Sequence, residues 1–248
     1  MTHAGKAIAV TGGASGIGKE AALAMARGGA SIVIIDINED AARRVAAEVQ
    51  GAGGRGVVVR ADLSSVAEVR ASIHRAADAY GRMDAVANVA AIYPAAGVFD
   101  VTEELWERIM AVDLRGVFFA CQEALKLMIA QGHGSIVNVA SAAAFRARRG
   151  QVAYSAAKGG VVAMSRVLAL EGARKGVRVN VVAPGPTATD TILGTFDRQQ
   201  AKAFGERLVP GRWVEPREVA AAIAFLCSDA ASGINGAVLA VSAGDWMP

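Results

Sequence analysis

Short apolar runs alternate with longer helical patterns from one end of the chain to the other. The short runs are rich in Val, Ile and Ala and most are apolar throughout, which is typical of parallel strands covered on both faces. The longer stretches have the length and spacing of helices. The predicted strands are 7–11, 31–36, 56–60, 84–90, 135–140, 177–182 and 236–241, and the predicted helices are 16–27, 39–50, 66–80, 102–130, 152–173 and 215–228.

This alternation predicts the fold class. Strand–helix–strand units joined by short loops form right-handed crossovers, so we expect an α/β, doubly wound parallel sheet of about seven strands with helices on both faces. The sequence has no Pro-rich or Ser-rich linker and no internal repeat, which predicts a single domain over residues 1–248. Segment 187–213 mixes Gly, Pro and polar residues after a predicted strand, and we interpret it as either a substrate lid or an ordinary helical excursion.

Composition narrows the class of protein. A hydrophobic fraction of 53% in 248 residues is enough for a sizeable core, which excludes a small disulfide scaffold and a disordered chain. No apolar stretch approaches the roughly 20 residues that span a bilayer, so no membrane segment is expected. A net charge of +3 indicates no nucleic-acid partner. Cys121 and Cys227 lie far apart and near no metal-ligand pattern, so we expect no metal site and a reducing, cytoplasmic location.

A glycine-rich turn lies between the first predicted strand and the first predicted helix, with the sequence TGGASGIG at 11–18. Gly12 can adopt turn conformations that other residues avoid, Gly16 allows the backbone to approach a pyrophosphate, and Gly18 allows helix and strand to pack closely. The free N–H groups of the helix N-terminus then face the phosphates. This arrangement predicts a dinucleotide site.

The carboxylate at the end of the second predicted strand indicates which dinucleotide binds. Asp36 would accept hydrogen bonds from the adenosine ribose hydroxyls, and its charge would repel a 2′-phosphate. Ser15, rather than Arg or Lys, precedes Gly16, so no cation is supplied there for NADPH. The preferred cofactor is therefore NAD(H). The alternative is that Asp36 only caps the loop ahead of Asn38.

A second constellation begins the helix predicted at 152–173. Tyr154 and Lys158 are four residues apart, so the phenol and the ammonium lie on one helical face. A neighbouring cation stabilises a phenolate, so Lys158 is expected to lower the pKa of Tyr154 and make it a general acid/base. Ser141 ends the strand predicted at 135–140, where its hydroxyl can hold a carbonyl or alcohol oxygen. Each residue alone would more often be structural, but the joint spacing favours catalysis.

These motifs, taken together and in their order along the chain, resemble those of a known protein family. The residues concerned are Thr11-Gly12-Gly13-Ala14-Ser15-Gly16-Ile17-Gly18, Asp36, Asp62-Leu63, Asn88, Ser141, Tyr154, Lys158 and Pro184-Gly185-Pro186-Thr187. Over essentially its whole length the sequence resembles the short-chain dehydrogenase/reductase family. The resemblance implies a Rossmann-type fold, a nicotinamide cofactor, hydride transfer between a secondary alcohol and a ketone, and assembly as a homotetramer or homodimer.

The resemblance also assigns roles to further positions. It implies that Asp62 and Leu63 contact the adenine, that Asn88 and Ala90 line the ribose, and that the segment after the sixth strand holds the nicotinamide and its carboxamide. The full set of implied cofactor-binding residues is Gly12, Ser15, Gly16, Ile17, Gly18, Asp36, Ile37, Asp62, Leu63, Asn88, Ala90, Tyr154, Lys158, Pro184, Gly185, Thr187 and Thr189.

The chain departs from the family pattern at three places. Val112-Asp113-Leu114 has Asp where a helical Asn usually completes the catalytic set, so Asp113 is expected as the fourth catalytic residue. Its charge would lie near Lys158 and raise the pKa of that lysine. Ala91 replaces a glycine after the fourth strand, and binding should survive this change. The closing segment 241–245 lacks the usual acidic, double-glycine ending.

The small-molecule substrate is predicted only by class. The expected pocket lining is apolar and suits an aliphatic, alicyclic or aromatic alcohol; it comprises Ile92, Tyr93, Phe99, Phe145, Ile192, Leu193, Phe196 and Trp213. Arg146, Arg148 and Arg149 either bind an anionic substrate or form a solvated loop or subunit contact. Gln151 either contacts substrate or begins a helix. The alternative functions are an NADPH-dependent 3-oxoacyl thioester reductase and a non-catalytic dinucleotide-binding sensor or scaffold.

Overall fold

The computed structural model describes residues 2–247, which form a seven-stranded parallel sheet in the order β3-β2-β1-β4-β5-β6-β7. After β3 the chain returns to the centre of the sheet, where β4 lies beside β1 on the side opposite β2, and Thr11 pairs with Asn88. Such a switch point opens a ligand crevice at the carboxyl ends of the strands. The strands are β1 (Ala7–Thr11), β2 (Ser31–Asp36), β3 (Arg55–Arg60), β4 (Ala85–Asn88), β5 (Gly134–Val139), β6 (Val177–Pro184) and β7 (Val238–Val241).

Helices cover both faces of the sheet. The helices α1, α2 and α9 pack on one face and α3, α5 and α6 on the other. Successive strand residues enter opposite cores: Ile32 and Ile34 belong to the first, and Val33 and Ile35 to the second. The helices are α1 (Gly16–Arg27), α2 (Glu39–Gly51), α3 (Val66–Asp78), α4 (Glu103–Met110), α5 (Val117–Gln131), α6 (Val152–Ala173), α7 (Asp190–Leu193), α8 (Arg198–Glu206) and α9 (Pro216–Cys227).

The predicted fold class is confirmed, and most element bounds agree within a few residues. The main difference lies in the stretch 102–130, which was expected to be one continuous α-helix. It is interrupted between α4 and α5 by a π-helical turn, Ala111–Gly116. A π turn carries one extra residue and turns the side chains near it relative to a regular helix. The turn contains Asp113, so the irregular backbone coincides with a predicted site residue.

Segment 187–213 contains the two short helices α7 and α8 and its own aromatic cluster. The rings of Phe204 and Trp213 stack with centroids 4.8 Å apart, and Phe196 packs edge-on against Trp213. The Trp213 indole N–H donates to the Ala201 carbonyl at 2.8 Å. Thr187 and Val214 are joined by an isolated parallel β-bridge. The segment is therefore anchored at its base and packed internally.

Among residues 2–247, no helix combines the length and the apolar character that crossing a membrane requires.

Candidate active site

The glycine turn is shaped by very close backbone packing. Gly12 has φ of +66°, and a Cβ there would lie 2.6 Å from the Cα of Ala90. A Cβ on Gly18 would lie 2.1 Å from the Gly12 carbonyl oxygen. At Gly16, with φ of +50°, a Cβ would meet the Thr189 side chain at 3.3 Å. The turn therefore joins the start of α1 to the loops after β4 and β6.

The N-terminus of α1 leaves hydrogen-bonding groups for a ligand. Ser15 is the N-cap residue, but its side chain makes no capping hydrogen bond and is exposed. Ile17 lies in the first turn of the helix and is partly buried. No acidic side chain occupies that first turn, so the positive end of the helix dipole is not neutralised there. These features fit a pyrophosphate group.

Asp36 makes two backbone contacts at the end of β2. Its Oδ2 accepts the N–H of Ala14 and its Oδ1 accepts the N–H of Asn38, both at 3.0 Å. The loop-capping role considered from the sequence is therefore present. Because a carboxylate offers about four acceptor positions, these two bonds leave capacity for ribose hydroxyls. The next residue, Ile37, is 58% exposed.

Asp62 and Leu63 lie just after β3. One carboxylate oxygen of Asp62 accepts both the N–H and the hydroxyl of Ser64, at 2.9 and 2.8 Å. These hydrogen bonds lower the pKa of Asp62 below its ordinary value. A Cβ on Gly116 would lie 2.4 Å from the Leu63 carbonyl oxygen, so this loop packs directly on the π turn.

Asn88 belongs to a buried polar cluster between the sheet and the helices. Its amide donates to Asn138 Oδ1 at 2.8 Å and to Cys121 Sγ at 3.4 Å, and the Asn138 amide donates to Ser165 at 2.9 Å. The Asn88 amide nitrogen thus has partners inside the protein, whereas its Oδ1 has none among residues 2–247. Its place beside the ribose stays a prediction. Ala90, by contrast, lies against Gly12 as the dinucleotide turn requires.

The segment after β6 is tied back to the sheet edge. Pro184 ends the strand, and a Cβ on Gly185 would lie 2.9 Å from the Cα of Ser242. The Thr187 hydroxyl donates to the Gly185 carbonyl at 2.9 Å. Thr189 caps α7 by accepting the Ile192 N–H. The four residues predicted to hold the nicotinamide thus form a short, ordered run beside the glycine turn.

Ser141, Tyr154 and Lys158 converge above the carboxyl end of β5. Ser141 follows that strand and accepts the Ala143 N–H at 3.1 Å, which begins a short 3-10 helix packed against α6. Lys158 is 1% exposed; its ammonium donates to the Val139 carbonyl at 3.2 Å and lies 5.7 Å from the centre of the Tyr154 ring. The spacing predicted from the sequence therefore brings these three residues together.

Asp113 forms a buried ion pair with Lys158. Its Oδ2 is 3.4 Å from the lysine Nζ, and its Oδ1 accepts the Ile92 N–H at 2.9 Å. The Asp113 side chain is fully buried. Burial raises the pKa of this carboxyl, and the neighbouring Lys158 opposes the rise. The side chain at this helical position therefore contacts the catalytic lysine directly.

The surroundings of Tyr154 raise its pKa. Loss of solvation raises the pKa of the tyrosine, and the negative charge of Asp113 adds to the rise, while the Ser141 hydroxyl opposes it. The expected pKa of Tyr154 below its ordinary value is not met in this structure, chiefly because burial disfavours the charged phenolate. A raised pKa favours the protonated phenol, which is the form that donates a proton.

The arginine cluster pairs with the closing segment. Arg146 and Arg148 each reach the Asp245 carboxylate at 3.1 Å, and Arg146 also donates to the Asp245 carbonyl at 2.8 Å. The Phe145 ring stacks on Trp246 with centroids 4.3 Å apart. The two arginines therefore tie down the loop between Ser141 and α6, which favours a structural role over the binding of an anionic substrate.

Neutralising Asp245 should loosen this loop. Asp245 is 7% exposed and bonds two guanidinium groups, so we expect the Asp245→Asn variant to lose about 1–2 kcal/mol of unfolding free energy. That corresponds to a fall in Tm of roughly 2–8 °C. Asp229→Asn is the control, because Asp229 is 88% exposed in its pair with Lys6. Equal Tm shifts in thermal unfolding of the two variants would refute a structural role for the Asp245 clamp.

Two contacts near the site could not be predicted from the sequence. Tyr93 appeared only as part of the apolar lining, yet its ring packs edge-on against Tyr154 with centroids 4.8 Å apart. Asp245 lies almost one hundred residues from the arginines that it binds. The only available signal was the presence of a polar group near each strand end, which many surface residues share.

Comparison with known proteins now adds to this geometry. The sequence model of a family described as Enoyl-(Acyl carrier protein) reductase, a short-chain dehydrogenase/reductase model, matches residues 12–245. The chain belongs to the short-chain dehydrogenase/reductase family. Its members include a D-threitol dehydrogenase of Mycolicibacterium smegmatis, 39% identical over 97% of this chain and 92% of that protein. A meso-2,3-butanediol dehydrogenase of Serratia marcescens is 36% identical over 98% of this chain and 96% of its own length.

Solved structures of the family share the fold. The crystal structure of levodione reductase superposes with a TM-score of 0.94 at 31% identity, covering 97% of both chains. A 7α-hydroxysteroid dehydrogenase complexed with NADH and 7-oxo glycochenodeoxycholic acid has a TM-score of 0.92 at 32% identity, covering 98% of this chain and 96% of that one. The protein is thus an oxidoreductase of a family that depends on a nicotinamide dinucleotide and acts on small-molecule alcohols.

Proposed function

We propose that this short-chain dehydrogenase/reductase uses NAD(H) to interconvert a secondary alcohol and a ketone, with Tyr154 as general acid/base. The observation that carries the proposal is the convergence of Ser141 and Lys158 on the Tyr154 side chain. A bound nicotinamide would supply the hydride or accept it. The residues that would hold this cofactor are those of the glycine turn, the Asp36 carboxylate and the run 184–189.

The protein's own residues perform the proton chemistry. In the reductive direction Tyr154 donates its phenolic proton to the carbonyl oxygen while Ser141 holds that oxygen in place. In the oxidative direction the same phenol must first be deprotonated, and it then takes the hydroxyl proton. Lys158 holds a positive charge beside Tyr154, and the buried ion pair with Asp113 fixes the position of the lysine ammonium.

The proposed preference for NAD(H) rests on the negative charge of Asp36, which would repel the 2′-phosphate of NADPH. At an effective dielectric constant of about 20, a unit charge roughly 8 Å from a phosphate charge costs about 2 kcal/mol. We expect Asp36→Asn, which removes the charge and keeps one acceptor oxygen, to shift the ratio of kcat/KM for NADH over NADPH by roughly tenfold or more toward NADPH. Asp40→Asn, an exposed change of equal charge on α2, is the control. An unchanged ratio in Asp36→Asn would contradict the assignment.

A panel of secondary alcohols and ketones, assayed by NADH absorbance with NADPH in parallel, tests the function. Oxidation or reduction with NADH supports the proposal, whereas selective reduction of 3-oxoacyl thioesters with NADPH would favour the thioester reductase. The pairing of Arg146 and Arg148 with Asp245 counts against that alternative. Cofactor binding with no turnover on any substrate would favour a sensor or scaffold.

Further proposals concern the organisation of the protein. We propose one catalytic domain over the whole chain, with segment 187–213 as the substrate lid, because Thr189 near the start of that segment adjoins the glycine turn.

We propose a homotetramer or homodimer, because Val167 and Leu170 of α6 are exposed beside an apolar groove formed with α5. Light scattering tests the assembly. The buried free thiols of Cys121 and Cys227 support a cytoplasmic location, which localisation of the tagged protein tests.

A further inference from the structure

A pair of polar side chains lies beside the catalytic tyrosine and has no part in the proton chemistry above. Gln151 lies immediately before α6, one helical turn ahead of Tyr154. Its side-chain Nε2 donates to the hydroxyl of Tyr93. The Tyr93 ring in turn packs edge-on against the Tyr154 ring, with centroids 4.8 Å apart. The amide and the second phenol are therefore held next to the reacting group.

Only the nitrogen of the Gln151 side-chain amide has a hydrogen-bond partner among residues 2–247. The residue is 9% exposed, and its Oε1 is buried without a hydrogen-bond partner among residues 2–247. A buried carbonyl oxygen that accepts no hydrogen bond is energetically unfavourable. Such an oxygen in a native protein therefore needs an explanation, which near an active site is often a ligand that donates to it. Burial raises the pKa of Tyr93, so its hydroxyl keeps a proton that it can donate. The pair thus offers one acceptor and one donor.

A hydroxyl is the chemical group that matches this pair, because it donates and accepts at once. A ketone or carboxylate oxygen can only accept, and an ammonium group can only donate. Resting on the proposed function, we infer that the substrate carries a second hydroxyl near the reacting carbon, which donates to Gln151 Oε1 and accepts from the Tyr93 hydroxyl. The preferred substrates are therefore diols or the corresponding hydroxyketones rather than simple alcohols.

Matched cyclic alcohols test this inference. Cyclohexanol and the cis and trans isomers of cyclohexane-1,2-diol share a ring and differ by one hydroxyl. A site built to bind a hydroxyl disfavours an analogue that lacks it, since the polar groups of the site remain unpaired. We expect the wild-type protein to show at least about tenfold higher kcat/KM for one diol isomer than for cyclohexanol.

Two variants test whether Gln151 and Tyr93 cause the preference for a diol over cyclohexanol. Gln151→Leu should lower the ratio of kcat/KM for diol over cyclohexanol by about tenfold to a hundredfold. Tyr93→Phe, which removes only the hydroxyl, should lower the same ratio and provides a second route if the first variant does not fold. Val152→Ala, at the neighbouring exposed position, is the control and should leave the ratio unchanged.

The outcomes distinguish this inference from the proposed function. Equal oxidation of cyclohexanol and both diols by the wild-type protein would overturn the inference and leave the function standing. A diol preference that persists in Gln151→Leu and Tyr93→Phe would also overturn it. Oxidation of none of the three alcohols, nor of any member of the wider panel, would overturn both.

Discussion

In the Tyr154→Phe variant, kcat is expected to fall by about 10²–10⁴-fold in either direction, because the change removes the group that exchanges the substrate proton. The affinity for NADH should stay within about threefold, since a single hydroxyl is lost at a site where the glycine turn and the run 184–189 supply most of the cofactor contacts. Steady-state rates measure the first quantity, and fluorescence titration with NADH measures the second.

A matched tyrosine elsewhere controls for the loss of a phenol. The hydroxyl of Tyr80 donates to the Arg55 carbonyl at 3.0 Å, outside the candidate site. Tyr80→Phe should therefore keep kcat. A Tyr154→Phe protein that still turned over at close to the wild-type rate would contradict the assignment of the general acid/base.

Removing the Asp113 carboxylate should produce the largest loss of stability. Lys158 is 1% exposed, and Asp113 is the carboxylate that faces its ammonium. Breaking a buried pair leaves an uncompensated charge, so Asp113→Ala should lose about 3–5 kcal/mol of unfolding free energy. Chemical denaturation measures this loss, and a loss below about 1 kcal/mol would show that the pair contributes little.

The Asp113→Asn variant separates charge from packing, because the amide has nearly the same shape as the carboxylate. Asp113 raises the pKa of Tyr154, so the variant should lower it. Alcohol oxidation requires the deprotonated phenol, so its rate rises as the pH passes this pKa. A lower pKa therefore moves the rising limb of the rate profile to lower pH.

Two groups need control in that experiment. Tyr93 also faces Tyr154, and its ionisation at high pH would add to the profile. Tyr93→Phe therefore tests whether the same limb persists. Glu123→Gln removes another buried carboxylate, paired with Arg70 and Lys126 between α3 and α5, and should leave the limb in place. A limb that does not move in Asp113→Asn would contradict the proposed link between the two residues.

Local patterns predicted the parts of the fold that local forces determine. The bounds of β1, β2, α1 and α6 coincide with the expected ones, because apolar runs and helical spacing are properties of neighbouring residues. The convergence of Tyr154 with Lys158 followed from the helical repeat. The π turn at Ala111–Gly116 was not predicted, since one extra residue in a helix leaves the apolar pattern nearly unchanged.

Long-range contacts set the remainder of the site. The sequence suggested that Asp113 lies near Lys158, but the effect on Tyr154 depends on how deeply the pair is buried, which no local pattern reports. The clamp of Asp245 on Arg146 and the contact of Gln151 with Tyr93 each join distant segments. The resemblance predicts Asn88 beside the ribose, and the hydrogen bonds of its side-chain nitrogen are set by the neighbouring strand and helix.

The central claim is direct transfer of hydride between a carbinol carbon and a nicotinamide, and isotope transfer tests it most directly. An alcohol that the protein oxidises is prepared with deuterium on its carbinol carbon and incubated with NAD⁺, and the reduced nicotinamide is recovered for mass spectrometry. We expect one deuterium in each NADH formed by the wild-type protein and almost no NADH from Tyr154→Phe. Unlabelled NADH from the wild-type protein would contradict it.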